Sequence, residues 1–140
     1  MYQHILVAVE HSPADQTILG HVQPLARLTH ARLLLLHVAD GWAARAYDEL
    51  QLRESEEMRQ DREYLEDLAA SLRAAGFDAD WRLERGDPAT QIIRTAGAEQ
   101  VDLVAMATHG HRLLGDLVHG TTVNRVRHEL ECPVLLLRAR

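Results

Sequence analysis

The chain has 140 residues and a formal net charge of −6, from 15 basic and 21 acidic side chains. All of the basic residues are arginine. The absence of lysine excludes the phosphate-binding lysine of a Walker A loop, the strand lysine of a protein kinase and Schiff-base chemistry. Because nine acids and three arginines between Asp48 and Asp67 account for the whole net charge, no basic face is left to bind duplex DNA.

The length favours one domain over residues 1–140, large enough to bury a core without disulfides. The first residues show no basic region followed by a long apolar stretch, and no apolar run is long enough to span a bilayer. We therefore expect a cytoplasmic protein that does not enter a membrane. The single cysteine, Cys132, agrees with a reducing compartment.

The first half of the chain predicts two buried strands, each followed by a helix. The apolar runs at residues 5–9 and 33–38 are short and bounded by polar residues, as in strands buried on both faces. Ser12 can accept from the first amides of a helix, and Pro13 suits the first helical position. The acidic stretch that follows the second strand carries an apolar stripe and stops at Gly76, which predicts a long amphipathic helix with its charged face in water.

The second half continues the alternation. Apolar and charged residues alternate over 77–84, which predicts an edge strand, and the apolar runs at 101–107 and 133–137 predict two further strands. The intervening helices are predicted to begin at Pro88 and at about Gly120. Alternation of strands with crossover helices predicts an α/β fold with a five-stranded parallel sheet and helices on both faces.

Ligands of such a sheet bind beyond the carboxyl ends of its strands. The segment after the fourth strand has glycines at 110, 115 and 120, followed by Thr121 and Thr122. Glycine allows close approach of the backbone, and the first amides of a helix favour an anion. These residues indicate a phosphate site, although a simple helix cap at Thr121 with turn glycines explains the spacing equally well.

Gly110, nine intervening residues and then Gly120-Thr121 resemble the G-x2-G-x9-G-(S/T) signature of ATP-binding universal stress proteins. Other segments agree over nearly the whole chain: Ile-Leu-Val-Ala-Val-Glu-His-Ser, Leu-Leu-His-Val, Gly-Asp-Pro, Asp-Leu-Val-Ala-Met and Cys-Pro-Val-Leu-Leu-Leu. The resemblance implies a flavodoxin-like or Rossmann-like sheet of the adenine nucleotide alpha hydrolase type, with strand order 3-2-1-4-5. It also implies ATP or a related adenine nucleotide, accompanied by Mg²⁺, as a regulatory ligand in a stress response.

Carried over by position, the resemblance implies two groups of nucleotide-binding residues. The adenine and ribose would meet Ala8, Val9, Glu10, Val38, Met106 and Ala107. The phosphates would meet His109, Gly110, Arg112, Gly120, Thr121 and Thr122. The resemblance assigns no residue to catalysis and no protein ligand to the Mg²⁺ that accompanies the nucleotide, so we expect slow hydrolysis at most.

Two positions depart from the family pattern. Ala107 replaces the first glycine of the signature, and its methyl is expected to crowd a ribose at a cost of roughly 1–3 kcal/mol. Glu10 and His11 stand where the family usually has Asp-Gly. An alternative is therefore a nucleotide-free dimeric interaction protein of the same fold.

Four further features suggest a more specific function, but each also has an ordinary structural explanation. Thr108-His109-Gly110-His111 matches the T-x-G-H pattern of nucleotidyltransferases, but it follows the fourth strand and not the first. The histidines of the same loop lack the spacing of a zinc site. Ser12 next to His11 could suggest a nucleophile, but a helix cap is a sufficient role for this serine. Arg125 is expected to be a solvated surface arginine and not a phosphate ligand.

The sequence of the last strand predicts pairing with another chain. An unpaired apolar edge invites pairing with another chain, and Val134 to Leu137 is such an edge. The resemblance implies a homodimer formed through this strand across a two-fold axis.

Overall fold

A computed structural model describes residues 1–40, 51–108 and 113–139, with the backbone alone at 40, 51–55 and 113–120. Strands and helices alternate along the chain as the sequence predicts. The strands are β1 (His4–Ala8), β2 (Arg32–Asp40), β3 (Ala79–Gly86), β4 (Leu103–Thr108) and β5 (Val134–Arg138). The helices are α1 (Ala14–Thr29), α2 (Gln51–Ala74), α3 (Pro88–Ala98) and α4 (Leu113–Glu129).

All five strands are parallel and lie in the order β3-β2-β1-β4-β5, so the expected strand order is confirmed. Val7 of β1 is level with Leu35 of β2 on one side and with Ala105 of β4 on the other. The chain order reverses between β1 and β4. The prediction that β3 lies at an edge is also confirmed.

The two faces of the sheet are covered by different helices. Ile5, Val7 and Leu35 pack on one face with buried residues of α1 and α2. Leu6, Leu36 and Val104 face the other way, and they pack with buried residues of α3 and α4. Both cores are therefore made by alternate residues of the same strands, as expected for a sheet buried on both faces.

The expectation that the last helix begins at about Gly120 is wrong. α4 begins at Leu113, so Gly120, Thr121 and Thr122 lie in its interior. A physical reason is present in the sequence, because Leu114, Val118 and Val126 recur at steps of four and eight residues, the spacing of one helical face. A glycine inside a helix costs only about 1 kcal/mol, so Gly120 does not prevent this helix.

None of the helices in the described part of the chain is long and apolar enough to cross a membrane.

Candidate functional site

The carboxyl ends of β1, β2 and β4 bring together the described residues of the predicted adenine site. Val9 follows β1 directly, and its amide donates to the carbonyl of Leu36 at 2.9 Å. Because Val7 is level with Ala105, the same register carried two residues further places Val9 beside Ala107. The site therefore lies where the chain order reverses, which is the usual ligand position in such sheets.

These residues nevertheless divide between the two faces of the sheet. Ala8, Val38 and Met106 belong to the side that packs on α3 and α4. Val9 belongs to the side of α1 and α2, where it is almost completely buried. Met106 and Ala107 are also buried, whereas Ala8, Glu10 and Val38 are half-buried. The half-buried residues are the ones that a ligand could contact without repacking of the core.

The phosphate half of the predicted site is placed differently from the expectation. Thr121 is exposed and Thr122 is half-buried, both within α4. Their amides, like that of Gly120, are not first-turn amides of a helix in this conformation, so the helix start at Gly120 on which the anion-site prediction relied is not found. His109, Gly110 and Arg112 lie outside the described residues.

The turn after β1 is held by a carboxylate that the sequence did not single out. Asp15 in the first turn of α1 is 1% exposed. It accepts hydrogen bonds from the amides of Glu10 at 2.8 Å, His11 at 2.9 Å and Ser12 at 3.3 Å. Such charge-assisted bonds fix the backbone of the turn. An acid three residues after a helix-capping serine was the available signal.

Ser12 has the predicted structural role. Its hydroxyl accepts from the amide of Ala14 at 3.2 Å and donates to the carboxylate of Glu10 at 3.1 Å. The backbone of His11 has φ +60°, in the left-handed region that glycine adopts most easily. A glycine, which the family pattern has at this position, would adopt this conformation without steric cost.

A second carboxylate reaches the same turn from α2. Asp61 Oδ1 lies 2.8 Å from His11 Nδ1, and Asp61 Oδ2 lies 3.5 Å from His37 Nε2. Tyr64, one helical turn after Asp61, donates from its hydroxyl to Asp15 Oδ2 at 2.5 Å. The ring of Tyr64 also stacks on the ring of His11, with centroids 4.0 Å apart. We call His11, Asp15, His37, Asp61 and Tyr64 the strand-end cluster.

Sequence reasoning placed Asp61 on the solvated face of the acidic helix. Its side chain is 17% exposed, because it points inward with the buried stripe that continues through Leu65, Ala69 and Leu72. The spacing from Asp61 to Leu65 is one helical turn, and this was the signal that could have found it. His37 Nδ1 lies 2.9 Å from the carbonyl oxygen of Val9.

Contacts within the strand-end cluster shift the pKa values of three of its side chains. Burial tends to lower the pKa of His37, but pairing with Asp61, the hydrogen bond to Val9 and the charges of Asp61 and Asp15 more than offset it, so this pKa is raised. Burial tends to raise the pKa of Asp61, yet its pairing with His37 and His11 lowers it below the usual value. Burial and then the bond to Asp15 raise the pKa of Tyr64 far above that of an ordinary phenol.

Arg125 lies in an ion-pair network near the start of α3. Its guanidinium donates to Asp87 at 2.6 Å and to Glu129 at 3.0 Å. Asp87 also caps α3, where it accepts from the amide of Thr90 at 3.0 Å. The hydroxyl and amide of Thr90, with a further contribution from Arg125, lower the pKa of Asp87. The positive charge of Arg125 is therefore already paired, in agreement with a surface role.

In the part of the chain that the structure describes, no group of three or more histidine, cysteine, aspartate or glutamate side chains is arranged to hold a metal ion.

Comparison with known proteins gives a consistent set of relatives. A family model described as the Universal stress protein family matches residues 1–138. A universal stress protein of Thermus aquaticus is 30% identical over 143 residues, covering 99% of this chain and 100% of the relative. The solved structure of MJ0577 superposes with a TM-score of 0.82 at 25% identity, covering 100% of this chain and 98% of the other. That protein comes from Methanocaldococcus jannaschii.

Two more distant structures of the same fold were solved with nucleotides. A universal stress protein from Archaeoglobus fulgidus in complex with dAMP has a TM-score of 0.66 at 20% identity, covering 96% of this chain and 97% of that one. A universal stress protein in complex with cAMP has a TM-score of 0.69 at 18% identity, covering 98% and 97%.

Proposed function

Because the chain belongs to the universal stress protein family, we propose that it binds an adenine nucleotide as a regulatory ligand at the carboxyl ends of β1, β2 and β4. The observation that carries the proposal is that half-buried Ala8, Glu10 and Val38 lie at the carboxyl ends of the neighbouring strands β1 and β2, beside the point between β1 and β4 where the strand order reverses. Relatives of the same fold that were solved with dAMP and with cAMP support the choice of an adenine nucleotide.

The proposed site has an adenine half and a phosphate half. Ala8, Glu10 and Val38 would contact the base and ribose, backed by the buried Val9, Met106 and Ala107. The phosphates would meet the loop after β4 and the start of α4. The full proposed set is Ala8, Val9, Glu10, Val38, Met106, Ala107, His109, Gly110, Arg112, Gly120, Thr121 and Thr122.

Phosphate binding by amides near Gly120 requires a change in α4. The amides of Gly120 to Thr122 lie inside the helix in the present conformation, where helical hydrogen bonds use them. The proposal therefore includes unwinding of residues 113–119 when the phosphates bind, so that the helix starts at Gly120. Glycines at 115 and 120 lower the cost of this step, because each weakens the helix by about 1 kcal/mol relative to alanine.

The finer proposal is that the nucleotide is ATP accompanied by Mg²⁺. The chain has no lysine and a net charge of −6, so a broad positive field would not attract a triphosphate. A magnesium ion and local backbone donors would supply the compensation. We assign no protein ligand to the metal.

Isothermal titration with Mg·ATP, and with AMP for comparison, tests this function. The wild type is expected to bind, and Gly120→Glu is expected to abolish binding because it places a carboxylate at the proposed phosphate position. Gly20→Glu is the matched control, since Gly20 lies inside α1 with open space around it and is not one of the proposed site residues. Absence of binding to the wild type at millimolar ATP would refute the proposal.

The proposal also includes a homodimer formed through β5. β5 is an edge strand, and its apolar residues Val134, Leu135, Leu136 and Leu137 are all only half-buried. Pairing with a second copy would cover this edge. Light scattering at micromolar concentration is expected to give the mass of a dimer, and Leu136→Arg is expected to give a monomer. A wild-type monomer under these conditions would overturn this part.

The alternative function is nucleotide-free interaction within a dimer of the same fold. The observation in its favour is His11, whose ring stacks on Tyr64 and pairs with Asp61 at a position where the family pattern has a small residue. The titration with Mg·ATP separates the two functions. Either function is proposed for a single domain over 1–140 in the cytoplasm, which cell fractionation would check.

A further inference from the structure

Polar side chains connect α2 to the sheet at the point where the buried apolar stripe of that helix ends. Leu65, Ala69 and Leu72 are buried, whereas Glu56, Glu57 and the other described side chains before Asp61 are exposed or half-buried. Asp61 and Tyr64 are polar residues that connect this part of α2 to the carboxyl ends of β1 and β2.

Asp61 joins two separate segments of the sheet. One carboxylate oxygen pairs with His11 in the turn after β1, at 2.8 Å, and the other faces His37 of β2, at 3.5 Å. His37 and Asp61 have side-chain exposures of only 14% and 17%, so water screens this contact weakly. The bridge reaches the same turn that carries Val9 and Glu10 of the proposed nucleotide site.

The contact between His37 and Asp61 depends on the protonation of one nitrogen. Nδ1 of His37 lies 2.9 Å from the carbonyl oxygen of Val9, which can only accept, so Nδ1 carries a proton in either charge state. In the imidazolium form Nε2 also carries a proton and attracts Asp61. Loss of that proton leaves a lone pair of Nε2 facing a carboxylate oxygen, and the contact becomes repulsive.

The groups around His37 determine the direction in which its pKa is shifted. Asp15 of α1 and Asp61 of α2 are the acids that act on it, and Glu10 lies in the adjoining turn. From β3 its register partner is the apolar Leu83, and Arg85 lies two residues further on the same face. Together with the carbonyl of Val9, the acids outweigh burial and raise the pKa of His37 above its ordinary value of 6.5.

The sign of the pH dependence follows from the two shifted groups. The pKa of His37 is raised on folding, so its stabilising contribution is complete below pH 6.5 and is lost as the pH rises through the folded value. The pKa of Asp61 is lowered, so its contribution is complete above pH 3.8 and is lost as the pH falls through the folded value. Both contributions are present together between those limits.

We propose that His37 and Asp61 form a pH-sensitive latch, which holds α2 and the turn after β1 together at mildly acidic pH and loosens at alkaline pH. Since that turn carries Val9 and Glu10, the latch makes the affinity of the nucleotide site depend on pH. This second statement rests on the proposed function, whereas the latch itself does not.

The latch is tested first without nucleotide, by thermal unfolding of the wild type, Asp61→Asn and Glu63→Gln between pH 5.5 and about 8.5. At pH 6 the wild type is expected to unfold roughly 3–5 °C above Asp61→Asn, and this gap is expected to shrink to less than half by about pH 8.5. Glu63→Gln removes the same charge from an exposed position of the same helix, so its difference from the wild type should not vary in this way.

A second variant separates titration from loss of packing. His37→Asn keeps a side-chain N–H that can donate to Val9 and has no titrating nitrogen. Its unfolding temperature is expected to lack the decline that the wild type shows between pH 6 and about 8.5. A gap between wild type and Asp61→Asn that stays constant over this range would overturn the latch.

The effect on the site is measured with cAMP, whose phosphodiester does not titrate in this range. The wild type is expected to bind cAMP about threefold more tightly at pH 6 than at pH 8.5, because a held turn needs no ordering on binding. His37→Asn should bind with the same affinity at both values. Equal wild-type affinities would overturn the regulatory statement, whereas no cAMP or ATP binding at either pH, with the unfolding result intact, would instead refute the proposed function.

Discussion

The two halves of the proposed site lie at the same edge of the sheet, yet they are built in different ways. The half at β1 and β2 is fixed by side chains, since Asp15 holds three amides of the turn and Asp61 joins two strand ends to α2. The half at β4 depends on backbone and glycine, and in the present conformation α4 takes up the amides that would contact phosphates. In the proposed function one half is preorganised for the nucleotide, whereas the other half rearranges.

Because of this difference, the free-energy cost of binding the nucleotide is expected to arise mainly in the β4 half. An ordered site loses little entropy when a ligand arrives, whereas a helix that must unwind reduces the apparent affinity by the fraction of time it is open. Substitutions at the β1 half should therefore act mainly on stability. Substitutions at the β4 half should act on stability and affinity with opposite signs.

The largest effect is expected at the buried carboxylate. Asp15→Ala leaves the amides of Glu10, His11 and Ser12 and the hydroxyl of Tyr64 without their acceptor, so we expect a loss of about 3 kcal/mol in the free energy of unfolding. Urea unfolding gives this value. Asp67→Ala, at an exposed position of α2, is the control and should stay within about 0.5 kcal/mol of the wild type. Equal losses in the two variants would show that Asp15 does not hold the turn.

A smaller effect with two opposite readouts is expected at Gly120. Gly120→Ala should stabilise the nucleotide-free protein by about 1 kcal/mol, because alanine favours the helical conformation of α4. The proposed function requires the same helix to unwind when the phosphates bind, so the affinity for Mg·ATP should fall about fivefold.

The control for this prediction is Gly20→Ala in α1, where an added methyl meets open space. It should give a similar gain in stability with no change in affinity. If Gly120→Ala left the affinity unchanged, the proposed unwinding of residues 113–119 would be wrong.

A comparison of two variants at His11 isolates the left-handed backbone of the turn. His11→Gly and His11→Ala both lose the ring that stacks on Tyr64 and pairs with Asp61. Since φ at this position is +60°, the glycine variant should be more stable than the alanine variant by about 1 kcal/mol. Equal stabilities, measured by urea unfolding, would mean that the turn relaxes when the ring is removed.

The smallest effect is expected at Arg125. Its ion pairs with Asp87 and Glu129 lie at the surface, so Arg125→Ala should lower the unfolding temperature only slightly, and added salt should reduce the difference further. Titration with Mg·ATP should show an unchanged affinity, because this guanidinium is already paired. A large loss of affinity would instead identify Arg125 as a phosphate ligand.

Much of this architecture could be predicted because it follows from sequence patterns that extend over only a few residues. The buried runs of β1, β2 and β4 and the stop at Gly76 are local features, and the strand order followed from the family resemblance. The inward direction of Asp61 was not predicted, since a carboxylate on an acidic helix is usually solvated. Only its position one turn before Leu65 distinguishes it from its neighbours.

The start of α4 shows how two local signals can compete. Glycine followed by two threonines at 120–122 suggested a helix start, whereas the apolar spacing from Leu114 to Val126 favours a longer helix. Both signals are present in the sequence, and their relative weight depends on packing against the sheet. The departure at His11 could be identified from the family pattern, but its left-handed backbone and its partner in α2 could not.

The sequence by itself determined the α/β alternation, the family and the acidic character of α2, because each depends on composition, spacing or motif along the chain. Only the tertiary structure decided that Asp15, His37, Asp61 and Tyr64 meet beside the turn after β1. Asp61 is 50 residues from His11 in sequence, and the sheet order brings them within hydrogen-bond distance. Local patterns carry no information about that approach, because it depends on how the α1 and α2 face of the sheet is packed.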